Sequence, residues 1–312
     1  MLASVTRTDA SAMLPSLNTR ATVSTLAAAA VLAAGCTGPT VNLGEATPRH
    51  YRFSDTHPVI ELGTQASDNP TLTGDLLEVF FTSNRDNIST DIWSARRASP
   101  ADMFGPVTLV SEASSPSFET SSAISSDGLT LWFGSDRPGG LGGLDIWVTQ
   151  RPTRDAPWSV PVDLVALNSP AFDLPRPLGL HDLVMPLSSE RESTMVYWTY
   201  LSARATESGA FGAVSRIREL SFLDQSTVDA FLTDDGLTLF YSSSPPEGAG
   251  DLFVAWRRTT SDPFALSVPL DDLNTPTHAE RDPWLSPDGQ TFFFTSDRGG
   301  MLQIYQASVT RQ

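Results

Sequence analysis

Short runs of β-branched and aromatic residues alternate with turn-forming residues along most of the chain. Residues 125–151, SSDGLTLWFGSDRPGGLGGLDIWVTQR, show the pattern: an Asp-Gly pair precedes one apolar run, and a cluster of glycines precedes a second. Asp-Gly is a favoured hairpin turn, and apolar runs of this length are typical of buried strands. The stretch therefore predicts two antiparallel strands around Asp-Gly and a third strand after the glycines.

The same pattern recurs in five copies. Similar units begin near residues 73, 181, 233 and 286, although the copy from 181 is eroded. One serine occupies the same place in every copy, with spacings of 52, 54, 54 and 53 residues. These serines are Ser83, Ser135, Ser189, Ser243 and Ser296. A repeat of this length indicates a stacked or radial array.

Units of this kind also carry the signal of a fourth strand. An aromatic residue and a proline precede alternating apolar residues, as in WSVPVDLVAL at 158–167. Four antiparallel strands per unit are typical of a propeller blade. The last unit stops after its third strand, but residues 53–62 have the fourth-strand pattern ahead of the first unit. We therefore predict an all-β, five-bladed β-propeller over 53–312, closed by pairing of 53–62 with 304–309, with almost no helix beyond the N-terminal segment.

Two of the units resemble the WD40-like repeats of TolB-type propellers. Those repeats have a Ser-Pro-Asp-Gly turn, an apolar strand that ends in Ser-x-Arg-x-Gly, and a strand that begins with Asp-Ile-Tyr or Asp-Ile-Trp; SSDGLTLWFGSDRPGGLGGLDIW and SPDGQTFFFTSDRGGMLQIY are similar to them. The resemblance covers residues 53–312 and implies the fold. Propellers of this kind include partner-binding scaffolds, carbohydrate enzymes and unassigned envelope proteins, so it does not choose an activity. The third unit departs from the pattern because it has His181-Asp182 in place of Asp-Gly. The resemblance therefore does not predict the geometry of its first turn.

The first 52 residues carry a different signal. Arg20 precedes an alanine-rich apolar run that ends in small residues and Cys36, the single cysteine of the chain. This order describes a secretory signal, and it resembles a bacterial lipoprotein signal. We predict a signal peptide at 1–35, a lipid anchor on Cys36, a tether at 36–52, and an outer-membrane lipoprotein that faces the periplasm or the exterior. An ordinary signal with an incidental cysteine, and a start at Met13, stay open.

The net charge of the chain restricts the kind of partner that it can bind. The chain has 36 acidic and 20 basic residues, a net charge of −16, and every basic residue is arginine. Affinity for nucleic acids rests on basic side chains that neutralise phosphates, so a nucleic-acid partner is excluded. The glycines of RPGGLGGLD at 137–145 join two strands, whereas a phosphate loop leads into a helix. We therefore predict neither nucleotide binding nor any other cofactor.

A Ser-x-Arg triplet follows the apolar strand in four units. Its arginines are Arg85, Arg137, Arg191 and Arg298, and aspartates open the third strand in three units, at Asp91, Asp145 and Asp251. Catalysis needs one asymmetric constellation, whereas a residue that recurs in blade after blade usually has the same structural task in each. We predict local ion pairs or hydrogen bonds that brace the hairpins.

The segments that lead into the first strand of each unit are rich in polar residues. In a propeller those strands line the central channel, so their ends surround one mouth of the channel. The candidate binding residues at this mouth are Asp68, Glu119, Asp173, Arg176, Asp229, His278, Glu280, Arg281 and Asp282. Such a ring could bind a cation, a sugar or a basic peptide, or it could be a solvated acidic rim with no ligand.

A metal site is not predicted. The chain has no local Asp-x-Asp-x-Asp run to place calcium ligands, and its four histidines are scattered at 50, 57, 181 and 278, which argues against zinc.

Two classes of function remain. The first is a monomeric, non-catalytic scaffold of the cell envelope that binds a protein or glycan partner and touches the membrane only through its lipid anchor. The second is a carbohydrate-active enzyme, in which Glu119 or Glu280 would act as the acid and Asp68, Asp173 or Asp282 as the base or nucleophile. A glycosidase needs two carboxyl groups on either side of the bond that breaks. The repeat-wide regularity favours the scaffold, and no catalytic residue is assigned.

Overall fold

The computed structural model describes residues 50–86, 89–193, 196–244, 249–264 and 266–311. Cys36 and the rest of residues 1–49 lie outside this range, so the signal peptide, the lipid anchor and the tether stay predictions.

The described strands form five antiparallel sheets of four strands each. In chain order the strands are β1 (Tyr51–Pro58), β2 (Ser67–Leu72), β3 (Glu78–Ser83), β4 (Asp91–Arg96), β5 (Thr108–Leu109), β6 (Glu119–Ile124), β7 (Thr130–Ser135), β8 (Asp145–Gln150), β9 (Val162–Asp163), β10 (Asp173–Pro175), β11 (Val184–Ser189), β12 (Trp198–Ala203), β13 (Ser215–Arg216), β14 (Ser226–Leu232), β15 (Thr238–Ser244), β16 (Asp251–Trp256), β17 (Leu266–Pro269), β18 (Glu280–Leu285), β19 (Thr291–Ser296) and β20 (Gln303–Arg311).

Four sheets follow the chain order, β2 to β5, β6 to β9, β10 to β13 and β14 to β17, and the fifth has the order β1-β20-β19-β18. We number these sheets as blades 1 to 5. The helical structure of the described residues is limited to two single 3-10 turns, Ile60–Leu62 and Arg218–Leu220. The predicted five-bladed propeller is therefore confirmed.

The second strand of each blade is buried on both faces, as its unbroken apolar sequence predicts. In β19, Phe292, Phe293 and Phe294 are all fully buried. Their rings pack between blades, since Phe240 of β15 lies 5.2 Å from Phe292, centroid to centroid, with the rings edge to face. Aromatic contacts of this geometry hold neighbouring blades together.

The ring closes through the first strand. β1 pairs with β20, with Phe53 opposite Val309 and Tyr51 opposite Arg311, and a register shift lies between Ser54 and His57. The predicted closure is confirmed, but the pairing strand ends at Pro58. The three residues Ile60–Leu62 form a 3-10 turn instead, because the chain bends there to reach blade 1.

One backbone hydrogen bond joins every pair of neighbouring blades at the start of the inner strand. The amide of the residue opposite the repeating serine donates to a carbonyl just ahead of the third strand of the preceding blade. These bonds are Ser67 to Leu302 at 3.0 Å, Glu119 to Thr90 at 2.8 Å, Asp173 to Leu144 at 2.8 Å, Thr227 to Tyr197 at 2.9 Å and Glu280 to Gly250 at 2.8 Å. The first bond joins blade 1 to blade 5, so the same contact continues around the whole ring.

The first turn of blade 3 is built differently from those of blades 2, 4 and 5. In blades 2, 4 and 5 a glycine of the Asp-Gly pair takes the positive φ that the turn requires, for example 77° at Gly128. Leu180, His181 and Asp182 all have positive φ, between 53° and 62°, in blade 3. The Asp182 carboxylate accepts hydrogen bonds from the amide of Ser126 at 2.7 Å and from its hydroxyl at 3.1 Å. Contacts with blade 2 therefore stabilise a backbone that non-glycine residues rarely adopt.

Candidate functional site

The channel along the propeller axis has two ends. We call the end where the inner strands β2, β6, β10, β14 and β18 begin the upper mouth, and the end where they turn into the second strands the lower mouth. All nine candidate residues lie toward the upper mouth, but the structure divides them into three groups. Three carboxylates are buried within their own blades, five residues meet in the channel, and His278 lies on the rim.

The three buried carboxylates are Glu119, Asp173 and Glu280, the first residues of their inner strands, and each is 0% exposed. Glu119 accepts hydrogen bonds from the hydroxyl of Ser135 at 2.8 Å and from the hydroxyl of Ser115 at 2.6 Å, and it forms a 2.9 Å ion pair with Arg137. Burial raises the pKa of Glu119, although these three contacts oppose the rise. A carboxylate sealed in this way cannot contact a ligand in the channel.

The other two buried carboxylates repeat the arrangement. Glu280 pairs with Arg298 at 3.0 Å and accepts from Ser296 at 2.7 Å. Asp173 pairs with Arg191 at 2.5 Å and accepts from the hydroxyl of Ser169 at 2.6 Å. Glu119, Asp173 and Glu280 therefore contact groups of their own blades, and the predicted roles of Glu119 and Glu280 as acids and of Asp173 as a base would require a substrate to reach them.

The predicted bracing by the recurring arginines is confirmed. The Arg137 guanidinium lies 4.9 Å from the Phe133 ring and 5.3 Å from the Trp147 ring, and Arg298 lies 5.1 Å from both Phe294 and Tyr305. Their carboxylate partners, Glu119 and Glu280, belong to the inner strand and not to the third strand, which the recurring aspartates open. Asp145, one of those aspartates, accepts the amide of Gly142 at 3.1 Å.

A bulge in the inner strand aims polar side chains into the channel. Asn69, Ser121, Asp229 and Asp282 occupy equivalent places, have φ values of 52° to 57°, and lie at register shifts of their strands. A bulge inserts one residue and turns the side chains that follow it. The bulge lies two residues beyond the buried carboxylates. The buried carboxylates and the residues at the bulge therefore face different surroundings.

Arg176 of blade 3 is the centre of the channel group. Its guanidinium pairs with Asp229 at 2.5 Å, donates to the side-chain oxygen of Asn69 at 2.6 Å, and lies 3.5 Å from a carboxylate oxygen of Asp282. Its Nε donates to the hydroxyl of Ser188 at 3.1 Å. One arginine therefore joins blades 1, 3, 4 and 5 across the axis.

The remaining channel residues lie closer to solvent. Arg281 is 3.5 Å from Asp68 and 3.8 Å from Asp282. The group has three carboxylates and two guanidinium groups, so one negative charge is in excess. Burial, together with the nearby Asp229 and Asp68, raises the pKa of Asp282 to about 7 against the opposing effect of Arg281 and Arg176. Burial also raises the pKa of Asp68.

Below Arg176 the channel narrows to almost nothing. The space open to the centre of a water molecule is about 10 Å³, between residues that include Pro70, Ser122, Pro177 and Pro283. This is room for about one water molecule. A sugar ring does not fit into this cavity.

Sequence reasoning missed three members of this network, Asn69, Ser188 and Ser242. Asn69 carries no charge, and the hydroxyl of Ser242 donates to Asp229 at 2.5 Å from a strand that reads as core. Aligning the units on the repeating serine would have placed Asn69 level with Asp229 and Asp282.

Within the described parts of the chain, no group of three or more His, Cys, Asp or Glu side chains could hold a metal ion. No helix of those parts is long and apolar enough to cross a membrane.

Neither protein-family models nor curated protein sequences match this chain. Among solved structures, it is similar to TolB from Acinetobacter baumannii, with a TM-score of 0.50, 14% identity, 79% of this chain covered and 55% of that one. It therefore spans about half of that protein. It is also similar to an endo-arabinase from Bacteroides thetaiotaomicron VPI-5482, with a TM-score of 0.52, 13% identity, 82% of this chain and 97% of that one.

A third similar structure is a thermostable family-43 glycoside hydrolase, with a TM-score of 0.51, 9% identity, 80% of this chain and 90% of that one. Identities this low show a common fold alone. The predicted resemblance to TolB-type propellers is confirmed at the level of the fold, which proteins with different functions share.

Proposed function

We propose that this chain is a non-catalytic binding scaffold of the cell envelope that takes a protein or glycan partner at its upper mouth. The observation that carries the proposal is the position of Arg176. It engages the carboxylates of Asp229 and Asp282 in the middle of the channel. A glycosidase needs two carboxyl groups, about 5 to 10 Å apart, that are free to flank a sugar bond. The carboxylates of this mouth are instead paired with arginines or sealed within blades.

The rim offers accessible groups for a partner. Asp68 and Arg281 are 27% and 36% exposed, and His278, at 39%, lies 3.3 Å from Asp297. Phe118 and Phe172 directly precede Glu119 and Asp173, so they lie at the same end of the channel, and both are exposed. Exposed aromatic residues beside charged groups are the usual composition of a protein-binding surface. Aromatic faces and carboxylates also suit a glycan.

The location of the protein belongs to the same proposal. Lipidation at Cys36 would attach the propeller to the outer membrane, and the TolB-type resemblance supports a place in the envelope. The scaffold would act as a monomer. Mass spectrometry of the mature protein tests the anchor, because an unmodified Cys36 in a membrane-free fraction would contradict it.

The binding proposal is tested by capturing partners from an envelope extract and by probing a glycan array, each with the wild-type chain and with Arg281→Glu. We expect the substitution to abolish the specific signal, because it adds a carboxylate beside Asp68. The matched control is Arg52→Glu, which makes the same charge reversal at an exposed arginine of β1. The Arg52 guanidinium also lies 3.5 Å from a carboxylate, that of Asp272. Binding that Arg281→Glu retains would place the contact elsewhere on the propeller.

A hydrolysis screen against polysaccharides tests the enzyme alternative. We expect no turnover by the purified protein. Turnover that Asp282→Asn abolishes, while Asp127→Asn at an exposed turn does not, would overturn the proposal in favour of a carbohydrate-active enzyme.

A further inference from the structure

The lower mouth opens into a cavity that the sequence did not indicate. It has a volume of about 290 Å³ and lies where the inner strands end in their hairpin turns. We call it the lower cavity. It lies on the far side of Arg176 and of the narrow part of the channel, so it is separate from the upper mouth.

The inner wall of the lower cavity is apolar. Leu72, Ile124, Leu178, Phe231 and Trp284, one from each blade, line it near the ends of their strands. Each is less than 10% exposed. Trp284 is fixed by Phe231 at 6.0 Å and by Phe293 at 5.9 Å, centroid to centroid. Such a wall favours the apolar body of a small ligand.

The outer wall is acidic. Asp182, Asp234, Asp235 and Asp288 line it from three hairpin turns, and Arg311 is the basic residue among the lining side chains. The turns fix these carboxylates: Asp288 accepts from the hydroxyl of Ser286 at 2.5 Å and from the amide of Gln290 at 3.0 Å, both on Oδ1. Because four carboxylates and one guanidinium group line the cavity, its charge favours a cationic ligand.

We propose that the lower cavity binds an organic cation, an ammonium or guanidinium group carried on an apolar body. The apolar wall, which includes Trp284, takes the body, and the carboxylates neutralise the charge of the cation. The volume is at the low end of ligand pockets, roughly 300 to 1,000 Å³, so the cavity fits a small amine or a single basic side chain. An anion would meet the carboxylates and is disfavoured.

The first test compares two probes that differ in one atom. Choline carries a quaternary nitrogen where 3,3-dimethylbutan-1-ol carries a carbon, so the pair separates charge from shape. We titrate each into the full folded chain at low ionic strength and follow tryptophan fluorescence and calorimetric heat. We expect saturable binding of choline and binding of the neutral alcohol that is at least about tenfold weaker. Equal binding of the two probes would overturn the proposal.

Matched variants then locate the site. Asp288→Asn keeps the Oδ1 acceptor for Ser286 and Gln290 but removes the charge, and we expect choline binding about fivefold weaker. Asp127→Asn makes the same change at the equivalent turn of blade 2, whose aspartate accepts from Ser125 and Leu129 but does not line the cavity. This control should bind as the wild type does. Equal losses in the two variants, or no loss in Asp288→Asn, would overturn the placement.

Trp284→Phe keeps a ring in the wall and should weaken choline binding while reducing the fluorescence change. Arg281→Glu at the upper mouth should leave choline binding unchanged, so this inference and the proposed function fail independently. A peptide with one lysine among neutral apolar residues assigns the source of the cation. Tighter binding than choline, lost in Asp288→Asn, indicates a partner's side chain, and weaker binding indicates a free amine.

Discussion

Arg176 and Asp229 form a 2.5 Å ion pair that joins the third blade to the fourth. Both side chains are about 8% exposed, so the pair is removed from water. A buried ion pair adds little stability over an apolar pair, but it becomes costly when one partner is lost, because the other charge stays buried. Removal of one charged member of the network around Arg176 is therefore expected to destabilise the propeller.

Arg176→Met should destabilise the propeller by about 3 to 5 kcal/mol, because Asp229 and Asp282 then lose their common partner within the protein. Arg281→Met removes the other arginine of the group, which is 36% exposed, and should cost less than about 1 kcal/mol. Denaturant unfolding at pH 7 measures both. Similar costs for the two substitutions would contradict the central place of Arg176.

Asp282 should make the propeller less stable as the pH rises. Its pKa is about 7 in the folded chain and 3.8 as an ordinary aspartate, so the folded state binds more protons between these values. Stability from this group is therefore present below about pH 4 and is lost as the pH rises to about 7. We expect Asp282→Asn, compared with the wild type, to gain relative stability between pH 5 and pH 8, by roughly 2 to 3 kcal/mol. Unfolding free energies at the two pH values check this, with Asp127→Asn as the control.

The buried braces should contribute to stability and not to binding. Glu280→Gln removes the charge that Arg298 and the hydroxyl of Ser296 contact, and should cost about 2 kcal/mol, as expected for hydrogen bonds to a charged group. Partner capture at the upper mouth should be unchanged once the protein is folded. A loss of capture without a loss of stability would instead support Glu280 as a binding residue.

The stability of the propeller should depend on Phe53, the buried residue of the closing strand β1. Phe53 packs its ring 5.0 Å from Phe292, and Phe53→Ala should cost about 3 to 5 kcal/mol, as large-to-small changes in cores do. Arg52→Ala, at a neighbouring exposed position of the same strand, should stay within about 0.5 kcal/mol. Thermal or denaturant unfolding measures the difference, and equal effects would argue against tight closure.

The repeat predicts the fold well because one serine per blade fixes the register of every inner hairpin. The candidate site was predicted less well, because a bulge in the inner strand turns the side chains that follow it away from the face that a regular strand would give them. Glu119 and Asp282 were both predicted at the mouth of the channel, yet Glu119 is sealed beside Arg137 and Asp282 lies in the channel. The bulge has only a weak sequence signature: Asn69, Asp229 and Asp282 are residue types that favour a positive φ, but Ser121 is not.

The lower cavity was missed for a related reason. Leu72 and Trp284 read as ordinary core residues at strand ends, and Asp288 reads as a turn former, which it is. Only the ring arrangement brings five strand ends around one space, and a sequence repeat does not give the radius of that ring.

The pairing of β1 with β20 also bears on how the chain folds. The two strands lie at opposite ends of the described chain, so blade 5 can close only after the last strand is available. Contacts of this sequence separation make folding slow, and until they form, the β20 edge remains open to strands of other molecules. A chain that loses its last residues is therefore expected to become an aggregation-prone open ring, and not a smaller propeller.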